Sequence, residues 1–221
     1  MQRAPGSPQP SVTRILGVDP AAAGPTGYGI IETDGRNCRT LHYGALRIAP
    51  SRQKQAPGAV LTEVHSLLCR LIEAFEPQSL AVEAVFAALN VRTALRLAEV
   101  RGVVLLAAAQ HGVAVFSYSP REVKAAVAGY GHADKRQIQL MVRALLSMTE
   151  TPEPADAADA LAVALCHMQS ERTRQKFHLP PASEIARPAR VSPASLPLAT
   201  GHDATRTTPA RISFTRRANL P

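Results

Sequence analysis

Four carboxylates stand at the ends of apolar stretches of the chain. Asp19 closes an apolar run (Ile15, Leu16, Val18), and a Pro/Ala/Gly turn and a second apolar run, Tyr28–Ile31, follow it. Glu83 closes the short apolar stretch SLAVE, Ser79–Glu83. Asp156 and Asp159 open the stretch PEPADAADALAVAL. Burying an acid at the mouth of a strand is costly unless something positive meets it. Arg14 lies at the far end of the Asp19 run, so water or a visiting cation has to meet that charge. Taken singly, each acid has a plainer explanation. Asp19 reads as a solvated turn residue, and Asp156 as a helix-start acid that the macrodipole favours by about 0.3–1 kcal/mol.

Taken together they suggest chemistry. If the strands ending at Asp19 and Glu83 are parallel neighbours, both acids emerge at the carboxyl edge of the sheet, where open α/β sheets place ligands. Asp156 and Asp159, three apart, share one helix face. Leu161, Leu165 and Met168 lie roughly opposite them, and Ala157, Ala160 and Ala164 are small enough to let the helix approach the sheet. Acids gathered at one spot raise one another's pKa unless a divalent cation neutralises them. An all-oxygen donor set favours a hard ion, Mg²⁺ or Mn²⁺. Two such ions about 4 Å apart support in-line displacement at phosphorus, which makes phosphodiester hydrolysis the expected reaction.

The elements that would position these acids follow from periodicity. Thr13–Glu32 reads as a strand, a tight turn and an antiparallel partner, and Thr40–Ile48 as the third strand of a meander. Ser51–Gly58 is a loop. Val60, Val64, Leu67, Leu68, Leu71 and Phe75 recur at helical spacing, and Pro77 ends that helix. Ser79–Glu83 is a strand. Asn90–Gln110 is a long helix whose second half is apolar on nearly every face, either a central core helix or one covered by a second copy of the chain. Val113–Tyr118 is a strand, and Ser119-Pro120 is a cap with proline at the first helical position, opening a helix over Arg121–Ala128. Helices over Asp134–Ser147 and from Ala155 to about Gln169 complete the chain's ordered part. The order predicts an α/β fold: a five-stranded mixed sheet with helices covering its faces.

The 221 residues suit one domain with tails, and 46% hydrophobic content is enough for a core. Net charge is +8, unevenly spread: Thr13–Ser170 holds 15 basic and 14 acidic residues, so almost all the excess lies beyond Ser170. We expect a disordered extension over residues 1–12, a nuclease domain over 13–170 and a basic, Pro-rich disordered tail over 171–221. Such a tail attracts polyanions without sequence preference. Cys38, Cys69 and Cys166 are isolated thiols, which argues against a disulfide frame or a zinc site. Met1–Val12 lacks the apolar core of a secretory signal, and no run reaches membrane-spanning length, so a cytoplasmic protein is expected.

The segments ILGVDP…TGYGII, AVEAVFAALN, REVKAAVAGYGHADKRQIQLMVRALL and DAADALAVAL occur in the order and at about the spacing of the RuvC Holliday-junction resolvases. The chain resembles that family over roughly Arg14–Ser170. The resemblance implies a ribonuclease-H-like fold, a homodimer, a branch-migration helicase partner and Mg²⁺-dependent nicking of opposed strands of a four-way junction. It carries the family's acidic cluster onto Asp19, Glu83, Asp156 and Asp159. It makes Phe86 an aromatic stacked on an unpaired base, worth about 1–3 kcal/mol; on its own this residue also reads as core. It brings Lys124 and Lys135 to the scissile phosphate, although each alone suits a solvated helix face. Asn90, Arg92 and Arg136 become phosphate or sugar contacts. Two departures stand out: the turn Ala21–Pro25 is one residue longer than usual, and Leu89 replaces a common lysine. A junction-binding protein without catalysis is the alternative, but pure DNA binders gain nothing from acids beside phosphates. An actin-like ATPase would need a second domain for which residues 13–170 leave no room.

Overall fold

A computed structural model describes residues 12–21, 24–47, 58–84, 90–180 and 182. The first three strands, β1 (Thr13–Asp19), β2 (Thr26–Thr33) and β3 (Cys38–Leu46), form an antiparallel meander. Its second turn is fixed by Asp34, whose carboxylate accepts from the Arg36 and Asn37 amides at 2.8 and 2.6 Å, beside Gly35 at φ +86°. Helix α1 (Ala59–Phe75) crosses over to β4 (Ser79–Glu83), and α2 (Val91–Gln110) to β5 (Ala114–Tyr118). Three helices close the chain: α3 (Pro120–Ala128), α4 (Lys135–Leu145) and α5 (Ala155–Lys176). The sheet order is β3-β2-β1-β4-β5, with β1, β4 and β5 mutually parallel.

Strand alternation divides the core into two layers. Leu16, Val18, Ile30, Leu80, Val82 and Val115 pack with the apolar faces of α1 and α2, including Val64, Leu68, Val100 and Val104. Ile15, Ile31, Ala81 and Tyr118 face the other way, onto Val123, Ile138, Val142, Leu161 and Leu165 of the last three helices. Helices thus cover both faces.

Helix α5 lies at the centre of the second layer. Every residue from Ala157 to Met168 except Asp159 is buried, so this helix has no broad polar face. It can lie so close because β1 and β2 present glycines to it. Gly17 and Gly29 are paired across the ladder. A methyl group on Gly17 would overlap the Ala160 carbonyl oxygen and come within 2.9 Å of the Ala164 Cβ, and one on Gly29 would sit 2.6 Å from Leu161 Cδ2.

Three elements differ from the expectation by more than one residue at an end. The third strand begins at Cys38 and ends at Leu46, earlier than Thr40–Ile48. The fourth helix is Lys135–Leu145, with Asp134 as its cap and not its first turn. The last helix runs to Lys176, so residues 171–176, assigned to the disordered tail, are helical. Glu, Arg, Gln and Lys there are good helix formers, and Arg174 and Lys176 suit the negative end of the dipole. The Leu179 amide and the Arg174 side chain then fold the chain back, the latter donating to the Pro180 carbonyl at 2.8 Å. The disorder expected before Val12 and beyond Ala182 lies outside the described residues.

Candidate active site

Strand register puts the first two acids side by side. Val18 pairs with Val82 between parallel β1 and β4, so Asp19 and Glu83 follow as neighbours at the same strand ends. Because Val18 and Val82 face α1 and α2, alternation turns Asp19 and Glu83 toward α5. That helix starts after Pro154 with no side-chain cap, so Asp156 is not its cap, and both its aspartates stand in the opening turns. Gly27 is the ladder partner of Asp19. A methyl group there would overlap the Asp156 carbonyl oxygen and lie 2.6 Å from its carbon. The aspartate end of α5 therefore rests on the rung that carries Asp19.

Two short helices bring the bases. Ser119 caps α3 in a reciprocal box with Glu122, whose carboxylate accepts from the Ser119 amide at 2.7 Å. Lys124 follows one turn later. Asp134 caps α4, accepting from the Gln137 amide at 2.8 Å. The Gln137 side-chain oxygen accepts in return from the Asp134 amide at 2.9 Å and from the Tyr130 hydroxyl at 2.6 Å. This fixes the loop immediately ahead of Lys135.

Asp19, Glu83, Asp159, Lys124 and Lys135 line one cavity of about 220 Å³, with Pro120, Val123, Ile138 and Ala162 as its apolar wall. The Lys135 ammonium lies 2.9 Å from Asp159 Oδ2. Asp19 and Glu83 act on each other's charge as neighbouring carboxyls. Burial, and then the charges of Glu83 and Asp159, push Asp19 far above the usual carboxylate range. Burial also raises Glu83; the hydrogen bond with Asp19 and the charge of Lys124 oppose the rise, while Asp159 adds to it. Lys135 is raised by its hydrogen bond to Asp159, and the charges of Asp156 and Asp19 reinforce this. Acids held together against their own repulsion call for a cation. Their oxygen donors fit a hard divalent ion. Among the described residues, however, no three His, Cys, Asp or Glu side chains are arranged to ligate a metal as they stand. Asp159 is turned onto Lys135 instead.

The family model for crossover junction endodeoxyribonuclease RuvC matches residues 15–167. The chain belongs to the RuvC family. It is 46% identical over 164 residues to RuvC of Chloroflexus aggregans, covering 74% of this chain and 98% of the relative. RuvC of Heliobacterium modesticaldum is 48% identical over 152 residues, covering 69% and 91%. Among solved structures, Thermus thermophilus RuvC in complex with Holliday junction substrate superposes with a TM-score of 0.68 at 33% identity, covering 73% of this chain and 96% of that one. The yeast mitochondrial Holliday junction resolvase Ydc2, 15% identical with a TM-score of 0.51 over 77% and 87% of the two chains, shares the fold. The five-stranded mixed sheet is thus ribonuclease-H-like, and the activity is that of a crossover junction endodeoxyribonuclease, a metal-dependent class of nuclease.

Within this RuvC-family chain the sequence-predicted residues divide. Asp19, Glu83, Asp159, Lys124 and Lys135 meet in the cavity. Asp156 does not line it, though its charge reaches Asp19 and Lys135. Asn90 caps α2, its side-chain oxygen accepting from the Thr93 amide at 2.9 Å, and Arg92 and Arg136 are exposed outside the cavity lining. Phe86, Leu89, and Ala22 and Ala23 of the long turn lie outside the described residues. Sequence reasoning missed Gly27, whose signal was its place in TGYG opposite Asp19. It also missed the brace from Tyr130 to Gln137, seven residues apart, which no periodic pattern marks.

Proposed function

We propose that this chain resolves four-way DNA junctions by paired, symmetric phosphodiester cuts, using Mg²⁺, with Mn²⁺ able to substitute, at a site made by Asp19, Glu83, Asp156 and Asp159. The observation that carries this is the meeting of Asp19, Glu83 and Asp159 with Lys124 and Lys135 in one cavity at the carboxyl ends of β1 and β4. The bound ions, two per site, would supply an activated attacking water and a stabilised leaving oxygen. Asp19 and Glu83 would hold the ion as carboxylates, the oxygen donors a hard divalent cation takes. Lys124 and Lys135 offer ammonium groups to the charge that develops on the scissile phosphate. Val123 and Ile138 limit water on the far wall. Phe86 stacks on an unpaired base near the crossover, and Asn90, Arg92 and Arg136 serve the flanking backbone.

The Thermus thermophilus relative was solved with a Holliday junction substrate, and that substrate class is carried to this chain. A twofold dimer with two sites suits a symmetric junction. The outward face of α2 offers the dimer contact: Val91, Leu95 and Leu106 are exposed to 75%, 61% and 52%, apolar side chains that a second copy would cover. A branch-migration helicase partner and a cytoplasmic location rest on the family resemblance; no described helix is long and apolar enough to cross a membrane.

The test is a mobile synthetic four-way junction incubated with and without Mg²⁺. Wild type should nick opposed strands only with the metal. Asp19→Asn should abolish cleavage and leave junction binding largely intact; normal cleavage by that variant defeats the assignment.

A further inference from the structure

The geometry points to Lys135 as the site's resident cation: its ammonium rests on Asp159, competes with the metal for that carboxylate, and turns to the substrate phosphate when displaced. This rests on the reading that the acidic cluster binds the catalytic metal.

Three observations support it. The ammonium sits 2.9 Å from Asp159 Oδ2, the distance of a charge-assisted hydrogen bond. Its side chain is 56% exposed at the first position of α4, so it can let go without disturbing the core, while the cap at Asp134 keeps its backbone in place. Lastly, among the described residues no three acids are arranged to ligate an ion as they stand, and the aspartate that would complete a set with Asp19 and Glu83 is the one held by Lys135.

The electrostatics give the exchange its direction. Asp19, Asp156 and Asp159 all act on the Lys135 charge, so this lysine balances acids on both β1 and α5, whereas Lys124 acts on Glu83. A divalent ion concentrates twice the charge among the same oxygens and can outcompete a single ammonium. An ammonium resting on Asp159 has part of its charge and one of its three N–H donors engaged there, and a phosphate beside unneutralised acids is repelled. Metal loading thus removes the repulsion and frees the ammonium in one exchange.

The experiment is a calorimetric Mn²⁺ titration of the full chain without DNA, paired with thermal unfolding at each metal concentration. Lys135→Ala should unfold at a lower temperature than wild type without metal. It should also bind Mn²⁺ about two- to five-fold more tightly, the range set by breaking a partly exposed ion pair. Lys135→Gln should repeat both effects, and Arg136→Ala, which removes the next charge on α4, should shift the affinity much less. Unchanged or weaker Mn²⁺ binding by both Lys135 variants, with wild-type binding intact, overturns the proposal. An equal gain from Arg136→Ala overturns it as well, because general charge would then explain the effect. If wild type takes up no Mn²⁺ and matches Asp19→Asn, the metal-site reading itself fails, and the exchange with it.

Discussion

Gly27→Ala tests the claim that the hairpin glycines set the distance between the two halves of the acidic cluster. Gly27 pairs with Asp19, and its α-hydrogens face the main chain of Asp156. The added carbon would lie 2.6 Å from the Asp156 carbonyl carbon and 3.4 Å from the Ala157 nitrogen. Carbon atoms rest at about 3.5–4.0 Å, so the start of α5 or strand β2 must retreat by on the order of 1 Å. Overpacking of this kind costs about 1–3 kcal/mol. In a chain of this size each kcal/mol lowers Tm by about 2–4 °C. The retreat also separates Asp19 from Asp156 and Asp159, and a misplacement near 1 Å costs about 10²-fold in rate.

The measurement is single-turnover cleavage of a synthetic junction at a temperature where circular dichroism shows the variant folded. Gly29→Ala is the comparison. Its added carbon meets the Leu161 side chain, at 2.6 Å from Cδ2, farther along α5 and away from the acids. It should lose a similar amount of stability and cleave within a few-fold of wild type. Gly27→Ala cleaving at the wild-type rate, or Gly29→Ala losing as much activity, would refute the seating argument.

Two further outcomes follow from the same packing. His167 is buried against Phe116, ring centroids 4.4 Å apart, with Nδ1 2.7 Å from the Tyr118 hydroxyl, and burial lowers its pKa to about 4. The unfolded chain takes up this proton near pH 6.5 and the folded chain only near 4, so this contribution to stability falls as pH drops through that window. Between pH 7 and pH 5 the loss is about 2 kcal/mol, and denaturant midpoints of His167→Phe should show that much less pH dependence. An identical slope for the variant rules the residue out as the source. Asp134→Ala removes the cap of α4 and should lower stability by about 0.5–2 kcal/mol while slowing cleavage through the loosened Lys135; Asp134→Asn should restore both in the same two assays.

Much of this architecture was legible because it rests on local rules. SLAVE follows Pro77 and finishes on Glu83, and β4 spans those five residues as read. Ser119-Pro120 marked the start of α3, since the serine side chain accepts from the Glu122 amide and proline at the first position has no amide to satisfy. The neighbourhood of Asp19 and Glu83 followed from one assumption, parallel pairing of their strands, which the register bears out. What escaped reading either lacks a periodic signal or depends on tertiary contact. The extension of α5 to Lys176 has no apolar period to announce it. Leu161, Leu165 and Met168 suggested one buried side for this helix, whereas the layer formed with α3 and α4 buries it all round. The pairing of Lys135 with Asp159 joins residues 24 apart, and neither has a sequence feature that selects the other.

The placement of acids on α5 explains why so much of the core is committed to one helix. Asp156 and Asp159 must be held against Asp19 and Glu83 although the four repel, and an amphipathic surface helix could relieve that repulsion by tilting away. A helix buried from Ala157 to Met168, seated on glycines at Gly17, Gly27 and Gly29, has no such freedom without exposing apolar surface or opening a void. The alanines on its sheet-facing side make this close approach possible, and the absence of bulk there leaves the acids at the sheet edge with no slack. The packing carries whatever part of that repulsion Lys135 and Lys124 leave unbalanced. That is why substitutions at Gly27, remote from any acidic group in chemistry, should be read out most strongly in catalysis.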